Sequence, residues 1–253
     1  MLKQFQMSIR WKLFFTLLGA SIFGTLAVLP YILTAELLKK ITVPLWVFIS
    51  AQLAQSAVMY VLCIFIGLFL AKKIGLGAPI LEDYFDGKRI DTDCLKRLLK
   101  IGVACGVLVG IAIFIVDWVC FSQVASSLNE SFKPALWKRF IASFYGGICE
   151  EILLRLFLMT TLSWLFLKLK KSDLSIWMAI IITTIVFGLG HLPMTAKLIA
   201  LSPVVVLRAL ILNGIASIPF GWLYWKKGLE TAMVAHFTTD IVLHGVLMSF
   251  ILK

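Results

Sequence analysis

The sequence predicts an all-α, polytopic transmembrane helix bundle of about seven spans, with an eighth possible. Three observations carry that expectation. The chain is 61% hydrophobic and 15% charged, whereas soluble domains run near half apolar and a quarter charged. Its mean hydropathy is +1.00. Its apolar residues gather into runs near or above the ~20 residues needed to cross a bilayer as helix. Short clusters of Lys and Arg separate these runs, so the net charge of +11 reads as membrane topology rather than a nucleic-acid-binding stripe. Cys63, Cys94, Cys105, Cys120 and Cys149 form no C-x-x-C pair. They read as small buried hydrophobes, with no disulfide or thiolate metal site expected.

Lys3, Arg10 and Lys12 precede a first run, Leu13 to Leu33. It is longer than a signal-peptide core and lacks a small-residue cleavage site, so it reads as a span that stays in place. Pro44 opens the second, Leu45 to Ala71. Lys72 to Lys100 mixes both charge signs and is broken by Gly75, Gly77, Pro79 and Gly87, which predicts a loop plus a short interfacial helix. The third run is Ile101 to Phe121, with Asp117 near its far end. After an expected turn at Asn129 to Pro134 comes the fourth, Trp137 to Leu167, closed by Lys168-Leu169-Lys170-Lys171. The fifth, Leu174 to His191, ends at Pro193, and the sixth spans Val204 to Trp225. Lys226-Lys227-Gly228 turns the chain into the seventh, Leu229 to Leu252. The stretch between Pro193 and Pro203 is too short for an eighth span. Residues 1–121 carry few polar groups and are expected to act as packing and lipid shielding; 122–253 hold the residues with chemistry.

Three ionisable side chains, Glu150, Glu151 and Arg155, fall within six residues of the fourth run. Charges at that depth are expensive and mark functional sites by default. Glu151 and Arg155 are four apart, share a helical face and are expected to pair. Glu150 is rotated by ~100° on an α-helix and should face elsewhere, free to meet another partner. A buried ion-pair network without catalysis would show the same local pattern. Phe187-Gly188-Leu189-Gly190-His191 places a histidine at the end of the fifth run. His236 and Asp240 share a face of the seventh, which His244 extends by a turn. An intramembrane His-Asp pair can orient an imidazole, carry protons or bind a metal. The span assignment leaves one tension. His191 lies near the outer end of its span and His236 about two turns, ~10 Å, from the inner end of its own. They meet only if helices tilt, break or begin deeper, with Pro193 and Gly228 as the places for that.

Taken together, E-E-x-x-x-R at Glu150 to Arg155, F-x-x-x-H at Phe187 to His191 and H-x-x-x-D at His236 to Asp240 resemble the CPBP family of intramembrane proteases. That group includes the CAAX-prenyl-protease-like and bacteriocin-processing proteins. Gly221-Trp222-Leu223-Tyr224, Gly228-Leu229-Glu230 and Ala235-His236-Phe237 resemble the family's lead-in to its last motif, and the likeness covers roughly Trp137 to Leu252. The resemblance implies hydrolysis of a peptide bond at or within the membrane, on a prenylated C-terminal peptide or a peptide precursor. It implies Glu150 as the base that activates water, His191 as the holder of that water, and His236 and Asp240 as oxyanion stabilisers. Glu151, Arg155 and Phe187 would support the site.

Relatives often have Asn where this chain has Asp240, and a carboxylate donates no hydrogen bond unless protonated. Either Asp240 is neutral or it orients His236. No metal is favoured; if one is used, Glu150, His191 and His236 make a zinc-type donor set. The alternatives are a non-catalytic immunity or scaffold protein and a small transporter. A transporter's broken or repeated spans are not visible in the sequence. Lipid and a peptide or protein substrate are the expected partners, with no nucleic acid; the oligomeric state is not encoded legibly.

Orientation follows from the basic residues. Lys3, Arg10, Lys12, the Lys and Arg of 72–100, Lys168, Lys170, Lys171, Lys226 and Lys227 fall on one side. They outnumber Lys39, Lys40, Lys133, Lys138, Arg139, Lys197 and Lys253 by about two to one. The expected location is the cell membrane, with the N-terminus cytoplasmic and the C-terminus outside. Reporter fusions at Lys100 and Lys253 should therefore report opposite sides; signals from the same side would defeat the seven-span arrangement.

Overall fold

Among the described residues, 10–33 and 35–247 of the computed structural model, every regular element is helical. Lys3 and the stretch from 248 to Lys253 lie outside them. Six helices are long and apolar enough to cross a membrane: α1 (Trp11–Ile32), α3 (Leu45–Ile74), α5 (Thr92–Ser131), the run Leu136–Leu169, α8 (Asp173–Gly190) and α10 (Pro203–Lys227). Two short helices, α2 (Ala35–Lys40) and α4 (Pro79–Phe85), lie between the first three. The run Leu136–Leu169 consists of α6 (Leu136–Phe144), two π-helical segments, Tyr145–Glu150 and Ile152–Met159, and α7 (Thr160–Leu169). The seventh expected span is present as α11 (Leu229–Asp240) and a π-helical segment, Ile241–Leu247. It is not among the six, since Glu230, His236, Asp240 and His244 dilute its apolar character.

Three boundaries differ from the sequence reading, each for a local reason. The segment 72–100 holds the expected short helix, α4, but less loop than expected, because α3 and α5 run into it from both ends. Gly75, at φ 73°, ends α3, and Asp91 accepts hydrogen bonds from the backbone of Asp93 (2.9 Å) and Cys94 (3.2 Å) to start α5 early. Lys96, Arg97 and Lys100 thus ride on the helix itself. The turn expected from Asn129 begins only after Ser131, because α5 continues beyond a non-helical break at Phe121 (φ −133°, ψ 22°). Pro193 does not end the fifth span. It sits in the first turn of α9 (Leu192–Thr195), where a proline forfeits no helical hydrogen bond. No eighth crossing exists between Pro193 and Pro203, which hold only α9 and turns.

Helix α11 is wedged between α5 and the π-helical turn Tyr145–Glu150. Gly102, Gly106 and Gly110, spaced every four residues, let the α5 backbone lie directly on it. A Cβ on Gly106 would stand 2.6 Å from the Thr238 side chain, and one on Gly102 or Gly110 would stand 2.9 Å from Val234 or Val242. This small-residue seam is a usual device for helix association in lipid. At the other face, Gly67 of α3 admits the π segment, with a Cβ there falling 2.8 Å from Leu156 Cγ.

The start of α11 is fixed by the α4 region. Leu229 N donates to Gly77 O (2.9 Å) and Leu81 N to Glu230 Oε1 (2.9 Å), while Pro79 covers the buried turn at Gly228. Arg10 pairs with Glu82 and with Asp86 (2.8 Å), tying the foot of α1 to the same knot. The N-terminal spans also hold a charge pair that packing alone did not anticipate. Arg208 of α10 grips Asp117 of α5 through two 2.7 Å hydrogen bonds.

Gly106→Ala should lower the thermal unfolding temperature in detergent by the equivalent of about 1–3 kcal/mol of overpacking. Gly19→Ala, which meets nothing within 4 Å, should not. Equal stability of the two variants would contradict the seam.

Candidate active site

The site is built where the π-helical turns of the fourth span meet α8, α10 and α11. Glu151 and Arg155 are both fully buried, at 0% exposure, and lie 3.0 Å apart between Oε1 and Nη1. The pairing expected from their spacing is therefore present. It is a close charge contact rather than an aligned hydrogen bond, since Nη1 lacks a hydrogen-bond partner. Arg155 donates its aligned bonds through Nη2, to Ser217 O (3.2 Å) and Ser217 Oγ (3.0 Å), and Thr184 donates to the same hydroxyl at 3.0 Å. The guanidinium lies 5.5 Å from the ring centres of both Phe187 and Phe220, a cation–π setting that suits a desolvated arginine.

The Glu151 carboxylate has a second partner. Its Oε1 accepts from His236 Nδ1 at 2.7 Å. This settles which ring nitrogen carries a proton, because a carboxylate in a charge pair can only accept. The His236 ring is 4% exposed, stacks on Phe220 (4.9 Å, 27°) and meets Phe187 edge-on (5.9 Å). Its free nitrogen, Nε2, faces Glu150 Oε2 at 3.6 Å and Asp240 Oδ1 at 3.9 Å.

Two expectations are corrected here. Glu150 does not face away from Glu151's surroundings: the two neighbours reach opposite nitrogens of one imidazole. The reason is the winding. A π-helical turn is wider than an α-turn and changes the angle between successive side chains. Such turns end at Glu150, resume at Ile152 and follow Asp240 directly. Nor does Asp240 hold His236 in orientation through Nδ1, since Glu151 occupies that nitrogen. Asp240 lies on the Nε2 side.

Two glycines make this closeness possible. A Cβ on Gly146 would strike Asp240 Oδ2 and come within 3.1 Å of His236 Nε2; one on Gly147 would lie 2.8 Å from Phe237 Cβ. Gly146 is thus a site residue for which the sequence analysis named no role. The glycine pair directly ahead of two membrane-buried glutamates was the signal for it.

His191 stands slightly apart. Its Nδ1 donates to its own helix at Phe187 O (2.9 Å), which leaves Nε2 as the acceptor in the neutral ring. The Phe187 ring touches it edge-on at 4.7 Å and His236 at 5.9 Å, so one phenyl ring separates the two histidines. The depth conflict in the sequence reading resolves in this way. Gly228 is buried under Pro79 rather than at the rim, so α11 starts inside the bundle. Among the described residues no three His, Cys, Asp or Glu converge into a metal-binding set.

Compared with known families, residues 132–242 match the type II CAAX prenyl endopeptidase, Rce1-like family. The resemblance read from the three motifs is borne out over that stretch, which contains Glu150, Glu151, Arg155, Phe187, His191, His236 and Asp240. The match supports a CAAX-type intramembrane protease at that coarse level. No curated protein and no solved structure matches the chain.

Removing either member of the buried pair strands a charge, which costs about 3–5 kcal/mol. Glu151→Gln and Arg155→Ala should both unfold at clearly lower temperature in detergent and accumulate poorly in membranes. Wild-type unfolding temperatures for both would disprove a stabilising role for the pair.

Proposed function

We propose that the protein is an intramembrane endopeptidase in which Glu150 activates a water molecule for attack on a substrate peptide bond. One observation carries this reading: two adjacent glutamates reach opposite nitrogens of a single buried imidazole, and only one of them is also tied to an arginine. Glu151 is committed on both sides, to Arg155 and to His236 Nδ1. Glu150 keeps a side-chain exposure of 23% and no competing cation except His236 Nε2 among the described residues. Of the two carboxylates, Glu150 is the one free to take a proton from water.

In the step we envisage, Glu150 accepts that proton as the water oxygen bonds to the carbonyl carbon. The carbonyl π electrons move to oxygen, and His236 Nε2–H, in the imidazolium form, donates a hydrogen bond to the resulting oxyanion. Glu151 holds the ring at Nδ1 throughout and balances its charge. As the C–N bond breaks, Glu150 returns the proton to the leaving amine, and the products are a carboxylic acid and an amine. His191, with Nε2 as an acceptor, fixes the second water hydrogen. Asp240, on the same side as Nε2, either donates to the oxyanion or tunes His236. We place the chain in the cell membrane with its N-terminus cytoplasmic. Its substrate is a prenylated C-terminal peptide or another peptide precursor. No step runs through a metal.

Assay of the detergent-purified protein against a peptide library tests the reading. Glu150→Gln should abolish cleavage with near-normal expression, and His191→Ala and His236→Ala should each remove most activity. Either change combined with Glu150→Gln should add little, because residues acting as a unit are non-additive. Asp240→Asn should retain or raise activity if the side chain donates, and lose it if the charge is needed. Chelator should have no specific effect. Loss of activity on chelation, with recovery on stoichiometric zinc, would overturn the metal-free mechanism; full activity of Glu150→Gln would overturn the base assignment.

A further inference from the structure

The end of the bundle that carries the α3, α7 and α10 C-termini divides into two unlike halves. On one side, around α4, the charges are mutually satisfied: Arg10 with Glu82 and Asp86, and Lys88 with Asp83 at 2.6 Å. On the other, Lys73 and Lys168 are exposed and have no carboxylate partner among the described residues. Both turn back onto one indole. Lys168 Nζ stands 3.7 Å from the ring centre of Trp164, and Lys73 Nζ stands 5.7 Å from the same ring and 4.0 Å from Phe69. Farther round, Lys226 lies 3.3 Å over Trp225, whose edge meets Trp177 at 6.1 Å.

Two ammonium groups repel, and ring faces offset only part of that repulsion. Exposed lysines with no other demand extend into water and gain rotamer freedom. Here they converge instead, on a half-buried tryptophan at a helix end, the depth where tryptophan sits among lipid headgroups. An anion of about phosphate size between the two amines would satisfy both charges, while acyl chains would lie along the exposed apolar surface of α3 and α7 below. Basic pockets between helices at the membrane surface bind acidic lipids by this chemistry.

We propose that Lys73, Lys168 and Trp164 form a binding site for the phosphate of an anionic phospholipid, in the groove between α3 and α7. The site is independent of the catalytic assignment. It reaches that site only through shared helices, because Leu156 on the span ending in α7 packs on Gly67 of α3.

Native mass spectrometry of the full chain in detergent, titrated with phosphatidylglycerol or phosphatidylcholine, tests the site. At about 1 kcal/mol per lysine, Lys73→Gln with Lys168→Gln should weaken phosphatidylglycerol retention roughly 30-fold. Lys170→Gln with Lys171→Gln, which removes equal charge from the same end, should weaken it far less. Trp164→Leu should also lose the bound lipid. Glycerol phosphate, which has the headgroup chemistry without acyl chains, should compete poorly. Equal retention of the two lipids by wild type would overturn the proposal. So would equal losses in the two double variants, which would mean diffuse charge rather than a site, or full competition by glycerol phosphate, which would mean a soluble phosphate ligand.

Discussion

The contact on which the rest of this protein depends is the chain Arg155–Glu151–His236, in which the arginine and the glutamate are fully buried and the imidazole nearly so. A carboxylate, a guanidinium and an imidazole are placed in a setting where each alone would be prohibitively costly. They persist because each offsets the others' desolvation and because Ser217, Thr184, Phe187 and Phe220 absorb what remains. Four helical elements contribute to this one cluster, so it acts as a keystone as much as a chemical device. Moving α8 or α10 disturbs Arg155, and moving α11 disturbs Glu151. The partly exposed carboxylates of Glu150 and Asp240 stand on the Nε2 side of His236, while a fully buried pair holds the ring from its other side.

Local backbone form completes that arrangement. The π-helical turns at 145–150 and 152–159 let two sequential carboxylates serve one ring, and bare backbone at Gly146 and Gly147 lets α11 close onto them. The same economy recurs on the far side of α11, where Gly102, Gly106 and Gly110 lay the α5 backbone directly against it. Side-chain volume has been removed on both flanks of the helix that bears His236. A ring held from both sides has little freedom to swing away from its carboxylates.

How much of this could be read from the amino-acid order is clear from individual residues. The Glu151–Arg155 contact was legible because it needs only helical periodicity. The family likeness was legible because three short motifs follow one another on successive apolar runs. The two-sided grip on His236 was not, since it depends on a non-α winding that no residue type announces. Asp240, one turn away, reads in the sequence as either neutral or orienting the ring, and it stands beside Nε2. That Nδ1 is met by Glu151, 85 residues distant in sequence, is decided only by tertiary contact. The depth of α11 was hidden for a similar reason: Gly77, Pro79 and Leu81, which cap its first turn, lie in a segment whose charges made it read as loop. The glycine seam on α5 and the Asp117–Arg208 grip were visible as letters, but their partners were not.

The modest apolarity of α11 has a consequence for how the chain is made. A segment carrying Glu230, His236, Asp240 and His244 gains little by entering lipid alone, since a single central aspartate disfavours insertion by roughly 2.5–3.5 kcal/mol. Glu230 and His236 find partners in Leu81, Glu150 and Glu151, all of which precede them in the chain. The segment also follows α5, the fourth span and α10 in the chain. Those receiving surfaces are synthesised before it, so the bundle itself can serve as the solvent into which α11 partitions. The order of the helices along the gene is thereby part of the folding mechanism: the costliest segment comes after everything needed to neutralise it.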